Sequence, residues 1–198
     1  MKRRAYAGHA YWARPVPGFG DPAATLLLLG LAPGAHGSNR TGRMFTGDAS
    51  GAFLFPALHR AGLASHADGS DPDDGLRLRG LWITAAARCV PPGNRPRRDE
   101  LANCRRWLLH DLAHLPRLRA VVALGRIAHE SYLDLLRATG TPVVKAHHAF
   151  AHGAEHRVEG GLPLLDAYHV SFQNTNTGRL TAPMFDAVLT RAKELAGL

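Results

Sequence analysis

The chain has 198 residues, of which 45% are hydrophobic, and 24 Lys and Arg residues against 16 Asp and Glu give it a net charge of +8. This length and composition predict a single folded domain over residues 1–198 and exclude a disordered chain. The presence of only two cysteines excludes a disulfide scaffold. The longest apolar run, residues 26–29, is too short to cross a membrane, and no secretory signal is recognisable at the start of the sequence.

The cationic side chains are almost all arginine, because Lys2, Lys145 and Lys193 are the only lysines. A basic chain rich in arginine indicates a partner that carries phosphate groups. A coding bias towards arginine explains the arginine excess equally well, but it leaves the net charge unexplained.

Four apolar runs predict buried strands, and the amphipathic segments between them predict helices. The strands are expected at residues 25–31, 81–86, 120–124 and 164–169, and the helices at 49–62, 100–115, 126–136 and 182–195. Strands that alternate with helices indicate a parallel sheet covered on both faces. The predicted fold is therefore of the α/β class, a three-layer α/β/α sandwich around a short, mostly parallel, four-stranded sheet.

Two segments between these elements have an unusual composition. Residues 68–74 are acidic and contain Gly and Pro, which predicts a solvated loop. Residues 145–161 contain four histidines, but their spacing fits no tight metal site. We predict that this histidine-rich segment is a mobile, polar surface loop.

Glycine-rich and polar segments follow the carboxyl end of every predicted strand. They comprise residues 30–43, 88–95, 125–126 and 169–179. Parallel strands bring their carboxyl ends to one edge of a sheet, and ligands bind in the crevice at that edge. The four segments therefore predict one binding site, into which His169 points from the end of the last strand.

The first and last of these segments have the composition of an anion-binding site. In the first, glycines let backbone amides approach an anion, and Arg40 and Arg43 add positive charge. It lacks the Gly-Lys-Ser/Thr of a phosphate-binding P-loop. The last segment is rich in Ser, Gln, Asn and Thr and ends in Gly178 and Arg179, and such side chains contact phosphate and sugar. An ordinary surface turn is the alternative for each.

Four motifs, in chain order, resemble those of one enzyme family. Residues 30–48, reading GLAPGAHGSNRTGRMFTGD, and residues 169–179, reading HVSFQNTNTGR, are similar to the two main motifs of family 5 (type B) uracil-DNA glycosylases. Residues 88–96, RCVPPGNRP, resemble the middle signature of that family, and residues 11–21, YWARPVPGFGD, its N-terminal region. The resemblance covers nearly the whole chain.

The resemblance implies both a fold and a reaction. The fold is the α/β/α sandwich, and the reaction is hydrolysis of the bond between a deaminated base and deoxyribose in DNA. Enzymes that act on a base in a duplex flip the nucleotide into a pocket, which is easier at a mismatch. The expected partner is double-stranded DNA containing uracil or other deaminated bases, with single-stranded DNA as a further substrate.

The resemblance assigns catalytic roles to Asp48, Asn94 and His169. Asp48 would orient the attacking water or stabilise the cationic sugar, Asn94 would contact the flipped base, and His169 would donate to a base carbonyl. Phe45 would stack on the flipped ring. Structural roles remain as alternatives, since Asp48 also suits a helix N-cap, Asn94 a turn and Phe45 the core.

The remaining matched positions concern substrate choice and DNA contact. Leu31 and Ala32 stand where other branches of the superfamily place Asp, Asn or Glu, and Ala85 where a related branch has Asn, which implies a pocket tolerant of several damaged bases. Gly30, Leu31 and Ala32 would line the base pocket with Phe45, Asn94 and His169. The residues implied to contact DNA are Ser38, Asn39, Arg40, Arg43, Ser171, Gln173, Asn174, Thr175, Gly178 and Arg179.

The cysteines raise the question of a cofactor. Family 5 enzymes resemble one another in holding a 4Fe–4S cluster on four cysteines, and Cys89 and Cys104 match the second pair of that set. The first pair is absent, so the cluster is incomplete in this chain. Either it is lost, or Met1 is an internal residue taken for the start, which we favour. In that case, we expect the two sulfurs to lie near each other at the surface, facing the N-terminal segment.

The absence of lysine from every motif favours a monofunctional glycosylase, because strand cleavage through a Schiff base needs an amine. Two other functions stay open at this point. They are a DNA-binding relative that senses damage without cleaving and a hydrolase of free nucleotides. For the glycosylase, we expect a cytoplasmic, nucleoid-associated monomer.

Overall fold

A computed structural model describes residues 4–198, so the first three residues of the predicted domain lie outside it. Its strands are β1 (Phe19–Gly20), β2 (Leu26–Gly30), β3 (Leu81–Ala85), β4 (Ala120–Leu124), β5 (Glu155–His156) and β6 (Leu164–Ala167). Its α-helices are α1 (Ser38–Thr41), α2 (Ala49–Arg60), α3 (Arg98–His114), α4 (Arg126–Ala138), α5 (Phe172–Asn176) and α6 (Ala182–Ala196). The four predicted strands and four predicted helices are all present.

The strands form one sheet in the order β1-β3-β2-β4-β6-β5. The four inner strands are parallel, as the sequence predicts. The edge strands β1 and β5 are antiparallel to β3 and β6 and were not predicted, because two residues are too few to show an alternating pattern. The sheet therefore has six strands rather than four.

The central strands are buried on both faces. Successive side chains of a strand point to opposite sides, so Leu26 and Leu28 pack into one core while Leu27 and Leu29 pack into the other. Helices α2 and α6 cover the first face, and α3 and α4 cover the second. This arrangement is the predicted sandwich, and it explains why β2 reads as an uninterrupted apolar run. None of the helices within residues 4–198 is long and apolar enough to cross a membrane.

The helices begin and end where the sequence supplies capping groups. The Thr181 hydroxyl accepts from the Met184 amide (3.4 Å) at the start of α6, and Gly197 ends that helix with a φ of 70°. The Glu100 carboxylate reaches back to the Arg97 amide (2.7 Å) at the start of α3. These caps satisfy backbone groups that the ends of the helices would otherwise leave without partners.

The histidine-rich segment is not simply the polar surface loop that the sequence predicts. His156 lies in β5 and is buried, and its Nε2 is 2.9 Å from Oδ2 of the fully buried Asp166. His129 of α4 places Nδ1 2.8 Å from Oδ1 of the same carboxylate. The prediction is wrong for this part of the segment because the sequence does not show that a buried acid on β6 provides a partner.

His129 is held between two polar partners. Its Nε2 lies 2.8 Å from the carbonyl oxygen of His148, and its Nδ1 lies 2.8 Å from Oδ1 of Asp166. These contacts join α4, the histidine-rich segment and β6, directly before the chain reaches His169.

We expect Asp166→Asn to lower the free energy of unfolding by about 2 kcal/mol, because the amide of Asn cannot replace all the buried hydrogen bonds of the carboxylate with His129, His156 and the Ala151 amide. The Lys145–Asp134 pair (2.6 Å) serves as the control, since its side chains are 35% and 39% exposed. Asp134→Asn should cost less than about 1 kcal/mol. Urea unfolding measures both losses, and equal losses would contradict a structural role for the buried contacts of Asp166.

Candidate active site

A cavity of about 960 Å³ opens at the carboxyl edge of the parallel strands. The loops after β2, β3 and β6 all contribute to it, as the position of the polar segments predicts. It brings together most of the residues singled out in the sequence, namely Leu31, Ala32, Ser38, Phe45, Asp48, Asn94, His169, Ser171, Gln173 and Asn174.

Asp48 caps a helix and also presents a carboxylate oxygen to the cavity. Its Oδ1 accepts from the amides of Ser50 (3.0 Å) and Gly51 (3.2 Å) and thereby caps α2. Its Oδ2 takes no part in the cap and lies beside Gly34 and Gly37, which line the cavity. A methyl group at Gly37 would overlap Oδ2, so glycine is needed there. Burial raises the pKa of Asp48, while the two amide hydrogen bonds oppose that shift.

Phe45 forms one wall of the cavity and is held in an unusual backbone conformation. Its φ is 58°, a region that favours glycine, and its amide donates to Oγ of Ser38 (2.9 Å). Its ring covers Gly30, where an added Cβ would come within 2.9 Å of the Phe45 Cζ atom. Ser38 is itself 3% exposed. The Ser38 hydroxyl is buried in support of Phe45, and its expected contact with DNA stays a prediction.

His169 faces the cavity as a neutral imidazole. Burial lowers the pKa of His169 to about 4, so the ring carries no charge at neutral pH. The Asn174 side-chain amide donates to the His169 carbonyl oxygen (2.8 Å) and holds the turn that follows β6. A neutral imidazole donates one hydrogen bond and accepts one, which suits it to a polar ligand group.

The floor of the cavity is apolar, and Asn94 lies at its rim. Leu31, Ala32 and Ala85 line the floor without offering a side-chain donor or acceptor. Asn94 is exposed, with a φ of 57°, and ends a turn of 3-10 helix, Pro92–Asn94. Ligand groups that reach the floor therefore meet backbone and hydrocarbon rather than a fixed hydrogen-bonding pattern.

Arg43 is turned inward, contrary to the prediction that it faces DNA. Its guanidinium donates to both carboxylate oxygens of Asp74 (2.7 and 2.6 Å) and to the carbonyl oxygens of Gly69, Asp71 and Pro72. The Arg43 side chain is only 11% exposed. The acidic loop, predicted to be solvated throughout, thus supplies the counter-charge, and Arg43 anchors it to the loop after β2.

The other predicted DNA contacts differ in whether their polar groups form hydrogen bonds within the protein. Arg40 donates from Nε to the His36 carbonyl oxygen (2.9 Å) and lies over the Tyr6 ring (4.6 Å). The side-chain amide of Asn39 donates to the Ala35 carbonyl oxygen (3.4 Å). In the last loop, the Thr175 hydroxyl donates to the Ser171 carbonyl (3.2 Å), and Gly178 adopts a φ of 71° at the turn. Gln173 and Arg179 remain exposed.

Tyr6, His36 and Phe172 line the cavity but were not among the predicted site residues. The rings of Tyr6 and His36 stack with centroids 6.1 Å apart, a contact that no sequence pattern indicates. Phe172 lines the rim with 63% of its surface exposed. The sequence does distinguish Phe172, because it is an aromatic residue within a run of Ser, Gln, Asn and Thr.

The residues able to hold a metal lie outside the cavity. Cys89 is exposed and Cys104 half-buried, and their proximity contributes, after burial, to raising the pKa of Cys89. Cys89 lies at the surface, as expected, and the predicted closeness of the two sulfurs stays a prediction. Nitrogen and oxygen atoms of His129, His156 and Asp166 lie within 4.8 Å of one another, but they already satisfy one another by hydrogen bonds.

Comparisons with known proteins agree on one family. Residues 17–193 match the family model of the uracil DNA glycosylase superfamily. The chain is 59% identical over 197 residues to the type-5 uracil-DNA glycosylase of Thermus thermophilus, covering 100% of this chain and 87% of that protein. Identity to the type-5 enzyme of Mycobacterium bovis is 49% over 199 residues, covering 100% and 73%. A type-4 uracil-DNA glycosylase of Pyrobaculum aerophilum is 33% identical over 129 residues, covering 65% and 58%.

We expect Arg43→Ala to lower the free energy of unfolding by about 3 kcal/mol, because it leaves the Asp74 carboxylate and three carbonyl groups without their donor. Arg60→Ala is the control, since the Arg60–Asp186 pair is 46% and 39% exposed and should contribute less than about 1 kcal/mol. Urea unfolding compares the two variants.

The pH dependence gives a second test of the same contact. The hydrogen bond from Arg43 holds the pKa of Asp74 below its ordinary value of 3.8. The pair therefore stabilises the fold fully above that value and progressively less as the pH falls through the lowered pKa. The difference in the free energy of unfolding between wild type and Arg43→Ala should become smaller in that acid range. A difference that stays constant with pH would contradict the stabilising role of the Arg43–Asp74 pair.

Proposed function

The chain belongs to the uracil DNA glycosylase superfamily, and we propose that it is a monofunctional DNA glycosylase that flips uracil out of DNA and excises it in the first step of base excision repair. The observation that carries this proposal is the pairing of a carboxylate, Asp48, with a neutral imidazole, His169, across one cavity large enough for a nucleotide. An aromatic wall and an apolar floor complete a base-binding site.

The two polar groups suit the two charges that develop when the glycosidic bond breaks. The sugar becomes an oxocarbenium ion, and the free Oδ2 of Asp48 stabilises it or orients the attacking water. The base leaves as an anion, and His169 donates a hydrogen bond to its carbonyl oxygen. Water then adds to the sugar carbon, giving free base and an abasic site. Phe45 stacks on the flipped ring, and Asn94 contacts its edge.

The cavity floor supports a broad substrate range. With Leu31, Ala32 and Ala85 lining it, few side-chain groups are left unpaired when the wrong base enters, so discrimination is weak. Oxidised pyrimidines, hypoxanthine and ethenocytosine are candidate substrates beside uracil. Lys145 and Lys193 do not line the cavity, which favours simple hydrolysis over Schiff-base chemistry.

The charge of the protein supports binding to polymeric DNA. The net charge of +8 favours association with the phosphate backbone. Among the predicted contacts, exposed Arg179 and Gln173 are best placed for it, with Arg40, Asn39, Ser171, Asn174, Thr175 and Gly178 shaping the surrounding loops. We further propose a monomer that acts on double-stranded and single-stranded DNA at the nucleoid in the cytoplasm.

The residues of this sequence do not supply all the ligands of a 4Fe–4S cluster. Cys89 and Cys104 are the two cysteines of the sequence, and such a cluster is held by four thiolates. No proposed catalytic residue lies among them, so excision as described does not involve a cluster.

We expect Asp48→Asn to fold like the wild type and to lower turnover by roughly 10²-fold. The amide oxygen of Asn keeps the cap on α2, whereas the negative charge is lost. Single-turnover excision on a U·G duplex, read as strand breaks after alkali, measures the loss. In the wild type, turnover should also fall as the pH drops through the raised pKa of Asp48, and the variant should lack this limb.

Normal turnover by Asp48→Asn would reduce Asp48 to a helix cap. Breaks that form without alkali would contradict a monofunctional enzyme, and no breaks in the wild type would contradict the proposed function altogether. Asp73→Asn, in the exposed acidic loop, serves as a matched carboxylate control and should leave turnover unchanged.

Phe172 has the position of a wedge that fills the gap left by the flipped base. It is apolar, 63% exposed and at the rim of the cavity, and apolar wedges stabilise unstacked DNA. Phe172→Ala should therefore slow excision more from a U·A pair than from a U·G mismatch, because the mismatch costs less to open. Single-turnover rates on U·A and U·G duplexes of otherwise identical sequence test this prediction. An equal loss of rate on both duplexes would exclude the wedge role.

A further inference from the structure

A second, smaller recess of about 330 Å³ adjoins the cavity. It shares two residues with the cavity, His169 and Asn174. Its other walls are formed by Gly125, Arg126, Phe150, Ala151, Tyr168 and Arg179. Arg126 and Phe150 have no role in the proposed excision reaction.

Two arginines give this recess a positive charge. The Arg179 guanidinium lies 4.6 Å from the centre of the Tyr168 ring, and that of Arg126 lies 5.7 Å from the centre of the Phe150 ring. Neither forms an ion pair with an acid of residues 4–198, and no acid lines the recess. An arginine that stacks through its face keeps its N–H edge free for an oxyanion.

The aromatic rings that support the arginines are themselves anchored. The Phe150 ring packs edge-on against the buried His129, with centroids 5.8 Å apart. The Tyr168 ring stacks on His152 (4.9 Å), whose Nδ1 also accepts from the Tyr168 amide (3.0 Å). Groups fixed before binding lose less entropy when the ligand arrives, so both cations are preorganised.

We propose that this recess binds one backbone phosphate of the strand that carries the flipped nucleotide, with Arg126 and Arg179 as its ligands. The inference rests on the proposed function. Because His169 and Asn174 belong to both walls, a strand whose base enters the cavity brings an adjacent linkage over the recess. A phosphate fits better than a second base, since the guanidinium groups already occupy positions over the two rings.

The test compares Arg126→Ala with wild type on a U·G duplex whose uridine carries a 2′-fluoro group, which blocks cleavage. A series of duplexes replaces one linkage at a time, on each side of the uridine, with an uncharged methylphosphonate. We expect Arg126→Ala to weaken binding roughly tenfold and to flatten the slope of log affinity against log salt by about 0.9. One methylphosphonate should weaken the wild type but not the variant.

The controls separate this proposal from general charge effects. Arg106 also stacks on an aromatic ring, Trp107 (5.1 Å), but lines neither recess nor cavity, so Arg106→Ala should bind like the wild type. Phe150→Ala should cause part of the loss of DNA affinity seen in Arg126→Ala, because it removes the ring that supports Arg126 but keeps the positive charge of Arg126. The phosphate site would be overturned if Arg126→Ala did not weaken DNA binding. It would also be overturned if every methylphosphonate weakened binding as much in Arg126→Ala as in the wild type.

Failure of the proposed function is distinguishable from failure of the phosphate site. A protein that excises uracil but shows no coupling between Arg126 and any linkage keeps the glycosylase assignment and loses this site. A protein that does not excise uracil loses the assignment itself.

Discussion

The carboxylate of Asp48 connects the fold to the chemistry. One of its oxygens holds the amides of Ser50 and Gly51 and so fixes where α2 begins. That anchoring leaves the other oxygen facing the cavity without the freedom to rotate away. Catalytic groups gain from being held before the substrate binds, because no reorganisation is then needed during the reaction. In the proposed mechanism, the same hydrogen bonds would therefore both stabilise the helix and prepare the site.

The arginines of this chain serve two different purposes, and their partners show which. Arg43 donates to Asp74 and to three carbonyl groups, so its charge is used to hold the acidic loop. Arg126 and Arg179 contact aromatic faces and keep their charge available to a ligand. Net charge alone does not separate the two kinds, although both add equally to the value of +8.

The histidine-rich segment supports the site from behind. Its His156, together with His129, surrounds the buried Asp166 on the strand that leads into His169. The same segment supplies Phe150 to the recess beside the cavity. Leaving a buried polar group without its partner costs more than losing an exposed contact, so this network also keeps the end of β6 in place.

The sequence by itself determined the fold class and the general location of the site. The apolar runs were long enough to mark the four parallel strands, and the polar loops after them had to meet at one edge, since parallel strands share their direction. The motifs indicated Asp48, Asn94 and His169, which the structure brings to one cavity. Only the tertiary structure decided how individual polar side chains are used. Arg43 turns inward because packing between loops places Asp74 beside it. Ser38 turns inward because the turn after α1 places the Phe45 amide against its hydroxyl. His156 is buried because the carboxylate of Asp166, two residues beyond its strand partner Leu164, lies within reach of its Nε2. These pairings depend on the folded path of the chain, and residue type and spacing carry no record of them.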